Sequence, residues 1–160
     1  MADIFIPELD VPVIFRQQPV SLPGDLRPVW RISVLMLLLR KCCTGGKSSL
    51  RRLHVLSWAV RSSEVSTMLL NAIDGEIPPD AVIVRIEPAL NRAVDFAIGE
   101  GLLRRGTKDR VELTPEGREL AESILADKLV LAREKRFADE VRYSVTEGFV
   151  KSMFEQGASS

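Results

Sequence analysis

Residues 88–120 read PALNRAVDFAIGEGLLRRGTKDRVELTPEGREL. Pro88 suits the first turn of a helix, where a missing N–H costs nothing. Leu90, Ala93, Val94, Ala97 and Ile98 then recur three and four residues apart, the apolar stripe of an amphipathic helix. Asn91, Arg92, Asp95 and Glu100 fall on its other face. Two short extended runs follow, on either side of Gly106-Thr107-Lys108-Asp109, and predict a β-hairpin. Two strands cannot bury their own apolar side, so Leu102, Leu103, Val111 and Leu113 must cover helices. Thr114 then caps another helix, with Pro115 in its first turn. Its apolar side is Leu120, Ala121, Ile124 and Leu125.

Upstream, Val29–Cys42 predicts a helix that is apolar nearly all round, with arginines at its ends. A helix without a polar face must be buried on most sides, as a central or an interface helix. Thr44-Gly45-Gly46 stops it. Ser48 or Ser49 caps a second helix running to about Arg61, and Ser62 or Ser63 caps a third, which ends at Asp74-Gly75. Pro78-Pro79 makes a rigid connection, and Val82–Ile86 has the composition of a short strand. Downstream, Lys128 to about Arg142 continues helically, and Thr146–Glu155 is a last amphipathic stretch.

Three helices, a hairpin and a further helix predict a mostly α protein. Its centre is a winged helix-turn-helix domain over residues 29–126 with a short β-hairpin wing. An extended N-terminal arm, interrupted by five prolines, occupies 1–28. C-terminal helices form an extension over 127–155, and 156–160 is a disordered tail.

Composition narrows the function. The 160 residues are 46% hydrophobic and 28% charged, ordinary for a globular chain. Twenty-two basic and 22 acidic side chains cancel, so charge alone would not coat nucleic acid. The longest apolar run, Val34–Leu39, is too short to cross a bilayer, and the first ten residues lack a signal peptide's basic start and apolar core. Two adjacent cysteines, Cys42 and Cys43, staple nothing, and a reducing cytoplasm is the expected location. The balance of charge is nevertheless uneven. Between Arg27 and Ser63 there are eight basic residues and no acid, whereas Glu64–Asp127 holds 13 acids against seven bases. Such asymmetry points either to an acidic partner or to solvated helix ends.

Three features resemble active-site text and fall short of it. Thr44-Gly45-Gly46-Lys47-Ser48 resembles a phosphate loop, but Lys41 stands where the motif needs its first glycine, and a helix precedes it. Cys42-Cys43 has no further ligands nearby, which favours buried structural thiols. His54 has no carboxylate within a helical turn to orient it as a base. No enzyme, no cofactor, no metal and no small-molecule substrate is expected.

Segment 89–122 resembles the helix-plus-wing part of bacterial winged-helix regulators of the multiple-antibiotic-resistance and phenolic-acid kind. A narrower likeness is carried by ISVLMLLLRKCCTGGKSSLRRLHVLSWAVR at 32–61 and EGLLRR at 100–105. Together they are similar to the small middle components of three-component bacterial conflict systems built around an SMC-like ABC ATPase, the Lamassu anti-phage systems among them. The likeness spans about residues 30–125. It implies a non-catalytic subunit that bridges the ATPase and an effector nuclease, with duplex DNA as a further contact. It also implies a winged helix that binds protein rather than reading sequence.

On this reading Trp30, Val34, Leu38, Phe149 and Phe154 are the expected partner-binding side chains. Arg40, Lys41, Lys47, Arg51 and Arg52 of the basic turn, with Arg104, Arg105, Lys108 and Arg110 of the hairpin, are the expected DNA contacts. The alternative is a dimeric winged-helix transcriptional regulator, paired through helices over 116–142, binding promoter DNA with the hairpin and Arg92.

Overall fold

In the computed structural model, residues 28–155 are described; the expected arm, up to Arg27, and the tail over 156–160 lie outside the described residues. Helix α1 (Pro28–Cys42) places Arg40 and Lys41 in its last turn, where cations favour the carbonyl end of the helix dipole. It stops at a 3-10 turn, Thr44–Gly46, in which Gly45 and Gly46 take φ of 70° and 69°. Strand β1 (Lys47–Ser49) follows, then α2 (Leu50–Ala59), capped by Ser49 Oγ accepting from Arg52 N at 3.1 Å. Helix α3 (Ser63–Ile73) is capped in the same way by Ser62.

The chain then runs through a second 3-10 turn, Pro79–Ala81, into α4 (Pro88–Gly99). Strands β2 (Leu103–Arg105) and β3 (Arg110–Leu113) form the hairpin. Helices α5 (Pro115–Ala126), α6 (Ala132–Val141) and α7 (Glu147–Phe154) complete the described chain. The protein is thus mostly helical with one small antiparallel sheet of order β1-β3-β2. Lys47, Ser48 and Ser49 pair with Glu112, Val111 and Arg110. Leu103, Val111 and Leu113 are buried, as their inability to cover one another requires.

Helix α1 lies at the centre of this architecture, with α2, α4, α5 and α6 packed around it. Val34 is 2% exposed and Leu38 0%. Both were expected to meet a partner, and both belong to the protomer's own core instead. The reason is physical: an all-round apolar helix is satisfied when helices from either half of the sequence close over it. Trp30 and Phe149 are half-buried against the same core, and only Phe154 of the expected partner-binding set is exposed. The C-terminal helices share that core through Phe137, Ala138, Val141, Val150 and Met153.

Two further expectations are corrected. Val82–Ile86 forms no strand, since no neighbouring strand offers it a ladder. The helix expected from Lys128 is interrupted: Leu131 adopts φ 53°, and α6 starts only at Ala132. Asp127 Oδ1 accepts from Leu129 N at 3.0 Å, a local bond that competes with helix continuation.

Candidate functional site

The nine cations expected to touch DNA have very different surroundings. Arg40 pairs with Glu122, Lys41 with Asp139 at 2.7 Å, Arg104 with Glu112 at 3.0 Å and Arg105 with Asp95 at 2.7 Å. The Arg104 hydrogen bond holds the Glu112 carboxyl below its ordinary pKa. Arg52 is a correction: it is 6% exposed, and its Nη2 donates to the Cys42 carbonyl at 2.8 Å. Its bulk closes the joint between α1 and α2, so it is not a surface contact. Lys47, Arg51 and Lys108 make no ion pair among the described residues, and all three are exposed.

Elsewhere the basic third is answered in the same manner. Glu87 accepts from Arg31 at 3.2 Å and also from Arg61. The uneven distribution of charge along the sequence is therefore cancelled in part: Arg31, Arg40 and Arg61 meet acids of the 64–127 stretch, and Lys41 meets Asp139 beyond it.

The uncommitted cations Arg51 and Lys108 line one cleft, of about 850 Å³, together with His54, Asn91, Arg110 and Glu147. It opens where the first turn of α2, the start of α4, the hairpin tip and α7 converge. Arg51 lies over the ring of Phe154, 5.3 Å from its centroid, a cation–π contact that holds the guanidinium at the rim. His54 Nε2 sits 3.2 Å from Asn91 Oδ1. Burial lowers the His54 pKa below 6.5, against smaller raising effects from Asn91 and Glu87, so the ring is neutral and donates to the Asn91 oxygen.

Glu147, in the first turn of α7, is the residue that sequence reasoning did not single out. Its Oε1 accepts from Ser49 Oγ at 2.7 Å and its Oε2 from Ser49 N at 3.2 Å. Arg110 Nη1 approaches at 3.6 Å and Arg52 Nη1 at 3.9 Å. An acid following a Thr cap signals a helix start, but its partner Ser49 is 98 residues away and leaves no local trace.

A second, more apolar groove of about 300 Å³ lies between α1 and α4, lined by Pro28, Ile32, Ala93 and Phe96 with Arg31 and Arg92 at its edge. Phe96 is 57% exposed and Val29, beside it in sequence to Pro28, is also exposed.

Cys42 and Cys43 are buried and free; burial pushes the Cys42 thiol up to about 12 and raises that of Cys43 as well. No group of acids, histidines and cysteines among the described residues could hold a metal ion, and no helix among them is long and apolar enough to cross a membrane. Compared with protein-family models, with curated proteins and with solved structures, the chain matches none.

Proposed function

We propose that the chain is a winged-helix subunit without catalytic activity. It bridges an SMC-like ABC ATPase and an effector nuclease in a bacterial anti-phage complex of the Lamassu kind, and it works in the cytoplasm. The sheet order β1-β3-β2 and the hairpin after α4 suit a winged helix, with α4 in the recognition position.

One observation carries the protein-binding role: the outward side of α4 is unsuited to a DNA groove and suited to another protein. Base readers need several free Arg, Lys, Asn or Gln donors. Here Asp95 is committed to Arg105, Glu100 is exposed, and the exposed Phe96 stands over an apolar groove. An aromatic anchor beside a shallow apolar groove, edged by Arg92, fits a partner's apolar side chain with a carboxylate next to it. The regulator reading draws less support, because the helices over 116–142 that it assigns to a dimer contact pack on α1 of their own chain.

Co-expression of the full chain with an SMC-like ABC ATPase of a Lamassu-type system from the same genome tests this reading. The two proteins are expected to co-purify, and Phe96→Asp is expected to abolish co-purification while leaving the circular-dichroism melt unchanged. A chain that ignores the ATPase in pull-down would sink the reading.

A further inference from the structure

Between the second 3-10 turn and α4 the chain has the form of a strand and no ladder. Val82-Ile83-Val84-Arg85-Ile86 is rich in β-branched residues. It leaves the turn at Val82 with φ −90° and ψ 118° and meets α4 at Glu87 with φ −119° and ψ 123°, and no residue between them has a positive φ. Burial alternates along it: Val82 is enclosed, Ile83 is 85% exposed, Val84 is half-buried and Arg85 is exposed, the two-residue period of a pleated strand. Among the described residues, however, no N–H or C=O group of Ile83, Val84, Arg85 or Ile86 makes a hydrogen bond. Consecutive extended residues in this state offer their free edge to an added strand.

Two observations select the occupant. Arg31, in the first turn of α1, donates to Glu87 at 3.2 Å, and Pro28 shares a groove with Ala89, so the described chain begins beside the end of this stretch. Residues 1–27 are therefore attached there, and the chain from Phe15 to Pro28 can span about 43 Å, against about 17 Å for the stretch itself. Charge is the second observation. Residues 1–15 contain Asp3, Glu8 and Asp10 and no Lys or Arg, whereas Arg85 is exposed and makes no ion pair among the described residues. Arg85 also edges a cavity of about 340 Å³ lined by Trp58, Arg61, Ser62 and Val65, a basic rim around an apolar wall. The same fifteen residues carry two apolar runs, Ile4-Phe5-Ile6 and Val13-Ile14-Phe15, to cover Ile83. Pro7 and Pro12 are compatible with an edge strand, where one row of N–H groups faces water.

We propose that Ile83–Ile86 accepts a β-strand supplied by residues 1–15 of the same chain, with their carboxylates turned to Arg85. Tethering favours this occupant, because a short linker holds it at an effective concentration of about millimolar order. The docking holds whichever larger assembly the chain joins.

Hydrogen–deuterium exchange of the full chain, read by mass spectrometry on fragments covering 82–87, tests the proposal. Unbonded extended amides exchange at close to their intrinsic rates. Since N–H groups alternate between the two edges of a strand, about two of the four amides from Ile83 to Ile86 are expected to exchange at least tenfold more slowly than that. A chain lacking residues 1–15 is expected to lose this protection, and Arg85→Glu, at an exposed position, to reduce it at least threefold. Circular-dichroism melts establish that each variant is folded. If the shortened chain does not fold, Phe5→Asp with Ile14→Asp in the full chain takes its place, with the same loss expected. Intrinsic-rate exchange throughout 83–86 in the full chain overturns the proposal, as does protection that survives in the folded variants. Protection that grows with protein concentration assigns the strand to a second copy and overturns it as well.

Discussion

A methyl group placed on Gly117 would stand 2.0 Å from the Leu102 carbonyl oxygen and 3.1 Å from Leu113 Cδ2. The glycine in Thr114-Pro115-Glu116-Gly117 is therefore what lets α5 lie against the start of the hairpin. Gly117→Ala is expected to lower stability by about 1–3 kcal/mol in urea denaturation, despite alanine's better helix propensity. His54 gives a pH signature. Its folded pKa lies below the unfolded 6.5, so as pH falls through 6.5 the unfolded chain takes up the proton first. Stability is greatest above that value and declines as pH drops toward the folded pKa. The melting temperature should fall between about pH 7.5 and 6, and His54→Gln, which keeps a donor for Asn91, should flatten the decline. A steeper decline in the variant would contradict this assignment. At this scale the sequence was partly legible. The caps Ser49, Ser62 and Thr114 announce themselves because their partners lie three residues on. The burial of Arg52 does not, because it depends on a carbonyl at the end of another helix.

Among the elements, the helices and the hairpin were readable from periodicity, and β1 was not. Lys47–Ser49 is three residues of a basic turn, and it becomes a strand only because β3, more than sixty residues later, offers its free edge. Val82–Ile86 shows the converse: strand-like composition without a neighbour to pair with stays irregular. For α1, the sequence specifies that it must be covered and is silent on what covers it. Enclosure by the protomer makes Leu38 a core residue, and Leu38→Ala should cost about 2–5 kcal/mol through lost burial and the cavity left behind. A cost below 1 kcal/mol would show that the helix is not enclosed in solution.

For the molecule as a whole, the charge asymmetry that suggested an acidic partner is met largely from within. Arg31 and Arg61 turn to Glu87, Arg40 to Glu122 and Lys41 to Asp139. The Arg40 and Lys41 pairs are open to solvent and contribute little individually, and the part-buried Glu87 pairs are screened less, so moderate salt should change the melting temperature only slightly. The helices after Ala126 matter more. Ala138 accepts a contact from Cys42 Sγ at 3.8 Å, and Phe137 and Val141 cover the second half of α1. A chain ending at Ala126 should elute from size exclusion as aggregate, whereas a well-behaved monomer would show that the core closes without α6. The candidate cleft was half legible for the same reason. Arg51, Lys108 and Arg110 were read from charge, but the cleft they share with Glu147 requires the C-terminal helices to return to the start of α2.

The enclosure of α1 has a consequence for biosynthesis. Cys42 leaves the ribosome about a hundred residues before Val141, the end of the helix that seals it. At translation speeds of about 5–20 residues per second, the leucine-rich segment waits roughly 5–20 s for its cover. During that interval the nascent polypeptide carries a greasy rod with no lid, which makes it a natural client for ribosome-associated chaperones.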